Sequence, residues 1–470
     1  MSNMLKDVNP DAIKQFSSAI RGAVILPESA GYEEARKVYN AMINKHPGMI
    51  VKCADVADVI YAVNFARENN LLVAVRGGGH NGGGLGICDG GLVIDLSGIK
   101  FVLVDTETKT VKVGGGNLWG EVDHATHPFG LAIPAGVVST TGVGGLTLGG
   151  GVGHLARKYG LSIDNLLEVD MVLADGSFVT ANDTENSDLF WAIRGGGGNF
   201  GIVTSFTFQA HPVKTVFAGP TLWPIEKTEE IMKWYDELLD DAPDDLNGFI
   251  TTMVIPGPPF PAELHNKQFC GIVWCYVGGL DKAEEVFKPI LAKKPVFAHV
   301  GPMPYPTLQT LFDGLFPPGL QWYWRADFFG DLTPEITAQH LEFGSKIPTP
   351  LSQMHLYPIS GAAGRVGKDE TPWAYRDAKY AGVIVGVDPD PANAGKITEW
   401  CKDYWDALHP YSEGGAYLNF MMNEGQDRIR ASYKDNYERL AEIKQKYDPN
   451  NFFRVNQNIL PATTEMAATA

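Results

Sequence analysis

The chain reads as an α+β protein in two parts, the second inserted into the first. Three observations carry this. A β-α-β pattern at 49–75 runs into a glycine loop, and two further glycine-rich stretches follow at 135–153 and 195–198. From about residue 213 the glycine runs stop, and helical segments alternate with aromatic and β-branched strands, the pattern of helices flanking an antiparallel sheet. A helix and an extended segment with several asparagines then close the chain at 427–461. A length of 470 residues suits two domains or one large discontinuous body. The expected division is 1–213 with 427–461 as one domain, 214–426 as the other, and 462–470 as a tail.

Residues 31–45 carry Ala35, Val38, Tyr39 and Met42 at helical spacing, and a short strand is expected at 49–52. Over 55–69, Val56, Val59, Ile60, Val63 and Ala66 share one face of a helix. The strand at 71–75 then delivers Arg76, Gly77, Gly78, Gly79, His80 and Asn81 at its carboxyl end, where α/β proteins place ligands. Gly77, Gly79 and Gly82 satisfy G-x-G-x-x-G, but that spacing signals a dinucleotide only when a helix opens on it. Here more glycines, Gly84 among them, lead to a second strand at 92–96, so the Rossmann reading fails. Two readings stay open: successive backbone N–H groups forming an anion-binding concavity, or a glycine-rich hairpin with a surface histidine.

Hairpin strands are expected at 101–104 and 110–113, and Asn117 is placed to cap a helix reaching 127. His124 and His127 could share a face of that helix, but no third ligand is recognisable nearby, so they read as surface histidines and no metal is expected. The second glycine stretch holds Gly136, Val137, Thr140, Thr141, Gly142, Gly144, Gly145, Gly149, Gly150 and Gly153. Each glycine inside a helix costs about 1 kcal/mol, so a loop is expected there. Its hydroxyls, interleaved with accessible amides, suit a large polar cofactor. A helix is expected near Leu155, and strands at 167–173 and 178–181 flank an Asp175-Gly176 turn. A helix at 188–193 precedes the third glycine cluster, and Gly201, Ile202 and Val203 lead into a strand at 204–208.

In the second part helices are expected at 228–239, 281–291, 333–343 and 394–408, with strands at 248–255, 269–277, 321–329, 353–359 and 379–386. A further strand at 417–421 puts Tyr417 and Asn419 on one face, a helix follows at 427–446, and an extended segment runs from 447 to 461.

The net charge of −17 argues against nucleic acid and anionic membranes as partners. The first twenty residues are too polar for a signal peptide, and no apolar run approaches the roughly 20 residues of a membrane span, so a cytoplasmic location is expected. The five cysteines are odd in number and scattered, and Cys270 and Cys275 fall on opposite faces of one strand. They read as free thiols in a reducing compartment.

Five segments together carry a resemblance. They are VRGGGHNGGG from Val75, IPAGVVSTTGVGGLTLGGGVGHLARKYGLSIDN from Ile133, DLFWAIRGGGGNFGIV from Asp188, PWAYRDAKY from Pro372 and YDPNNFFRVNQNI from Tyr447. In that order they resemble the berberine-bridge-enzyme-like FAD-linked oxidases of the vanillyl-alcohol-oxidase group, over nearly the whole chain. The resemblance implies a PCMH-type FAD-binding domain with an inserted substrate domain. It implies FAD held by the residues of the glycine loops named above together with Asn456 and Asn458, and a covalent link from His80 to the flavin 8α-methyl. It further implies hydride removal from a small alcohol, amine or phenolic substrate, with O2 as acceptor and H2O2 as product. An oxidative cyclase or a dehydrogenase with another acceptor is a second reading, and a flavin-binding protein without turnover a third.

Two departures bear on chemistry. Val138 stands where many relatives carry a second, cysteinyl flavin link, so a single link is expected. Phe420 stands where relatives of the Y-x-N-Y pattern carry a tyrosine base, which leaves Tyr417 and Asn419 as the catalytic candidates. A core role for Tyr417 is equally compatible with the sequence. Asp377 and Lys379 lie in a region where some relatives place a base. By the same resemblance Thr141 occupies the position that gates oxygen access. Its valine-like size keeps the path open.

Overall fold

The structure, a computed structural model, describes residues 2–462; the rest of the expected tail lies outside them. The α+β expectation is met by a four-stranded sheet, a five-stranded sheet and a large eight-stranded one, with a two-stranded ribbon pairing Leu131–Ala132 with His211–Pro212. In the first, Met49–Lys52 and Val73–Arg76 flank Leu92–Asp95 in parallel, and Ala23–Ile25 adds an antiparallel edge. The helix Val56–Glu68 makes the crossover. Asp55 caps it by accepting from the amides of Ala57 and Asp58. Val59, Ala62, Val63 and Ala66 are buried against Met49, Val51 and Ile94. A second sheet runs Val102–Asp105, Thr110–Gly114, Ile202–Gln209, Leu166–Val172, Phe178–Asn182, all antiparallel.

The large sheet is antiparallel throughout. Its central run is Thr215–Pro224, Gln268–Tyr276, Leu246–Val254, Gln353–Pro358, Tyr380–Asp388, Gln321–Phe329. The helices Thr228–Asp241, Leu280–Ala292, Pro334–Gly344 and Ala394–Leu408 pack on one face, where Ile231, Tyr235, Phe287, Ile336 and Tyr404 share a core with Ile250, Ile272 and Ile384. The other face is turned inward. Strand alternation sorts Cys270 to the helix side and Cys275 to the inward side, and all five cysteines are buried and free. The C-terminal segment returns to the second sheet, with Tyr433, Tyr437, Leu440 and Ile459 packing in one core with Val113, Val169 and Phe206. No helix among the described residues is long and apolar enough to cross a membrane.

Several local expectations are corrected. The segment 31–45 is helical only over Tyr32–Ala35, because the amides of Tyr39 and Ala41 are drawn to Gly79 and Leu320 instead of to a helical turn. Asn117 does not cap the following helix; its side chain accepts from the Phe101 amide, while Glu121 takes the Leu118 amide at the helix start. The second glycine stretch includes a short helix, Val143–Leu148, despite Gly144 and Gly145. Residues 417–421 form no strand: Leu418–Phe420 is a 3-10 turn. The helix expected at 427–446 is two helices, Gln426–Tyr433 and Asn436–Tyr447, broken at Lys434, whose φ is 48°.

Candidate active site

One cavity of about 380 Å³ lies between the glycine loops and the inward face of the large sheet. That volume falls in the usual range for small-molecule sites, roughly 300–1,000 Å³. The first glycine loop enters it directly from the strand Val73–Arg76. Arg76 and Asp95 are register partners on adjacent parallel strands, so their side chains meet in a buried pair at 2.7 Å. The guanidinium also donates to the carbonyls of Ala35 and Lys37. Arg76 therefore anchors the loop root and has no charge left to offer a phosphate.

His80 stands at the cavity wall, stacked on Tyr39 with ring centroids 3.8 Å apart. Its Nε2 lies 3.0 Å from the Thr140 hydroxyl of the second glycine stretch. Burial pushes its pKa down to about 4, so the imidazole is neutral near pH 7. Among the described residues Nδ1 has no hydrogen-bond partner, and it carries the available lone pair when Nε2 donates to Thr140.

The two glycine loops touch backbone to backbone. A Cβ on Gly78 would lie 2.5 Å from the Gly142 nitrogen, and one on Gly142 would lie 2.4 Å from the Gly78 nitrogen. No side chain fits at that crossing. Other glycines face the cavity itself. A Cβ on Gly145 or Gly198 would meet nothing within 4 Å, and one on Gly77 would meet only the Gly115 carbonyl at 3.5 Å. These positions form a cradle that side chains would fill. Beside it Asn456 donates to the carbonyls of Gly198 and Phe453, while its buried Oδ1 has no partner.

Of the residues expected at the cofactor, Arg76 to Asn81, Gly136, Val137, Thr141, Gly142, Gly144, Gly145, Gly149, Gly201 to Val203 and Asn456 line the cavity. Five do not. Thr140 reaches it only through His80. Gly84 packs on Ile43, Gly150 on Trp373, and Gly153 on the Ala135 carbonyl. Asn458 gives its carbonyl to Gln426. Val138 lines the cavity, and no cysteine does so among the described residues.

Tyr417 and Asn419 both line the cavity although no strand holds them. The Tyr417 oxygen accepts from the amide of Gly151 at 2.8 Å and from Asn419 Nδ2 at 2.7 Å, and the Val152 amide is 3.4 Å away. Asn419 also donates to the Leu146 carbonyl. Burial raises the Tyr417 pKa. Asp377 and Lys379 are absent from the cavity lining; Lys379 pairs outside with Asp236, Asp240 and Asp331. The histidines His124 and His127 likewise lie elsewhere, and no metal-binding group of His, Cys, Asp or Glu was found among the described residues.

Sequence reasoning missed the sheet wall. Gln353, His355 and Tyr357 alternate along one strand and all face the cavity. His355 Nδ1 is 2.7 Å from the Tyr357 hydroxyl. Burial pushes the His355 pKa down to about 3 and raises that of Tyr357. Thr251 stands opposite His355 in register, its buried hydroxyl without a partner. The available signal was the period-two spacing of Gln353, His355 and Tyr357.

Residues 47–182 match the family model described as "FAD binding domain", and residues 416–460 match "Berberine and berberine like". An FAD-linked oxidoreductase of Dictyostelium discoideum is 34% identical over 459 residues, covering 96% of this chain and 97% of that protein. The (R)-6-hydroxynicotine oxidase of Paenarthrobacter nicotinovorans is 30% identical, covering 94% and 97%. Among solved structures, 6-hydroxy-D-nicotine oxidase from Arthrobacter nicotinovorans superimposes with a TM-score of 0.84 at 26% identity, covering 94% of this chain and 98% of that one. BBE-like 1 of Physcomitrella patens does so with 0.85 at 25%, covering 96% and 99%. The chain belongs to the berberine-bridge-enzyme-like FAD-linked oxidoreductases.

Proposed function

We propose that the protein is an FAD-dependent oxidase that takes a hydride from a C–H bond of a small alcohol, amine or phenolic substrate. Two electrons and two protons leave the substrate, and O2 receives them as H2O2. The observation that carries this reading is the meeting, in one cavity, of the glycine cradle with His80 on one side and the His355–Tyr357 pair on the other. The (R)-6-hydroxynicotine oxidase among the relatives is an oxidase by name.

The residues present fit a flavin dinucleotide. Gly145 and Gly198, whose Cβ would enter open space, leave room for it, loop amides suit the pyrophosphate, and Asn456 Oδ1 awaits a donor. His80, through Nδ1, would hold the ring covalently, and Val138 offers no second link. When bound, the flavin supplies a two-electron acceptor. This chain's own residues handle the proton. In the tautomer with the proton on Nδ1, His355 donates to Tyr357 and keeps an Nε2 lone pair that can accept a hydrogen bond from a substrate hydroxyl; a pKa of about 3 suffices for it to take the proton once hydride departure has made that hydroxyl strongly acidic. Tyr417, with its oxygen already taken by neighbouring donors, and Asn419 hold the second glycine stretch in place. Thr141 at the cavity wall leaves room for oxygen.

The same reading assigns 1–213 with 427–461 to the flavin-binding domain and 214–426 to the substrate domain. The return of Asn456 to Gly198 supports it. The test of function is anaerobic mixing with a broad panel of alcohols, amines and phenols, followed by air. Flavin bleaching and then stoichiometric peroxide are expected. Bleaching with no peroxide on aeration points to a dehydrogenase, and no bleaching across the panel sinks the enzyme reading. His355→Ala should lower the rate of bleaching by roughly 10²-fold or more while leaving flavin content unchanged.

A further inference from the structure

We propose that the sheet wall of this cavity selects an uncharged, planar aromatic substrate with one hydrogen-bonding edge. The inference rests on the oxidase reading above and narrows its substrate class. Its first support is the absence of counter-charge. Among the described residues lining the cavity there is no Asp, Glu or Lys, and the one Arg, Arg76, is spent on Asp95 and two carbonyls. The glycine loops can greet an anion with free amides, but the sheet wall cannot. Thr251, His355 and Val383 stand in one cross-strand row, and their backbone groups belong to the ladder. A carboxylate or ammonium held against that wall would be desolvated with neutral hydrogen-bonding groups but no opposite charge to offset the loss of water, which is costly.

The second support is the shape of the lining. Gln353 stands between Met253 on one neighbouring strand and Val385 on the other, and Trp324 follows beyond Val385, so apolar side chains border the amide on both sides and an indole lies two strands away. The polar groups concentrate on two neighbouring strands: among the described residues the Gln353 side-chain amide and His355 Nε2 have no hydrogen-bond partner, and the Thr251 hydroxyl is buried without one. This is one polar stripe bordered by aromatic and aliphatic surface. A sugar needs partners around its whole rim and would leave hydroxyls unpaired against the indole and valines. An aromatic ring meets the apolar surface on its face and the stripe with one edge. Cation–π attraction to an indole recovers only part of the cost of stripping water from an ammonium group.

The test uses the flavin-loaded enzyme and a matched set of probes: 2-naphthylmethanol, its 6-carboxylate, its 6-aminomethyl derivative, and cellobiose. Dissociation constants come from flavin difference spectra and calorimetry. The neutral probe should bind at least tenfold more tightly than the carboxylate, the ammonium or the sugar. Binding of the aminomethyl probe should strengthen tenfold per pH unit as the pH approaches its amine pKa from below. Gln353→Glu keeps the side-chain shape and should favour the ammonium probe at least tenfold over the wild type. Equal or tighter binding of a charged probe or of cellobiose by the wild type overturns the inference, and so does failure of the neutral probe to bind. Flavin bleaching is scored separately: a charged probe that binds tightly and bleaches sinks this inference alone, whereas neutral binding without bleaching of any probe counts against the oxidase reading alone.

Discussion

The crossing of Gly78 and Gly142 yields a prediction with opposite signs at two nearby glycines. A methyl on Gly142 would sit 2.4 Å from the Gly78 nitrogen and 2.8 Å from its Cα. Ordinary contact is about 3.5 Å or more, so the loops must part by roughly 1 Å. Neither side is a flexible side chain. Next to the crossing, the Thr141 carbonyl accepts from Trp119 and the Val143 amide donates to Asn117, which ties the second stretch down. Overpacking of this kind costs about 1–3 kcal/mol, and two opposed backbones put Gly142→Ala at the upper end. Gly145 lies three residues on, in the helix Val143–Leu148, and its Cβ would meet nothing. Gly145→Ala should gain up to about 1 kcal/mol of helix propensity while placing a methyl in the cradle. Both changes should lower flavin content, but only Gly142→Ala should lower the stability of the flavin-free chain. The assay is urea denaturation of flavin-stripped protein in a His80→Ala background. A Gly142→Ala midpoint equal to that of the parent, or a Gly145→Ala midpoint below it, would refute the argument.

Three further outcomes are expected. Wild-type protein should keep its yellow colour through acid precipitation and show an intact mass higher by one FAD, and His80→Ala should release the flavin; release from the wild type would remove the covalent link. Thr141→Leu should slow reoxidation of photoreduced enzyme by air in stopped-flow mixing, with little change in reduction by substrate, because the larger side chain fills space in a close-packed wall; equal reoxidation rates would dismiss Thr141 as a gate. Asp123 is buried beside Gln309 and Tyr305, one of its oxygens lacks a partner, and burial raises its pKa to about 7. A carboxyl raised in the fold keeps its proton there after the unfolded chain has lost it. Its stability contribution therefore falls as pH rises from the unfolded value toward about 7 and stays lost above. Asp123→Asn should thus match the wild type in melting temperature near pH 4 and exceed it at pH 8, whereas an offset independent of pH would assign the effect to packing.

What was legible in the sequence follows from how local the constraint was. The glycine stretches announced themselves because a backbone crossing and an open cradle admit no side chain, and composition records that directly. The large sheet was legible because its helices and strands keep their periods, and Gln321–Phe329 and Ala394–Leu408 fall where the pattern put them. Failures came where distant groups compete for the backbone. Residues 31–45 have helical spacing, yet Tyr39 leaves the helix to stack on His80 and on Trp322, 283 positions away (322 − 39). Residues 417–421 have strand propensity, yet the Tyr417 oxygen is captured by the amides of Gly151 and Val152, and the chain turns there.

The His355–Tyr357 pair was hidden for a different reason. Alternation places Gln353, His355 and Tyr357 on one face of a strand, but it does not say whether that face looks toward helices or toward a cavity. Only tertiary packing decides it, and it does so for the whole wall at once: Thr251, His355 and Val383 share a cross-strand row. A physical separation of labour follows. The loops that cradle the flavin depend on the absence of side chains, so substitutions there act on cofactor retention and folding. The sheet wall depends on the identity of side chains held by a ladder indifferent to them. On the proposed oxidase reading, changes at Gln353, His355 or Trp324 alter substrate and proton handling while the glycine cradle stays intact.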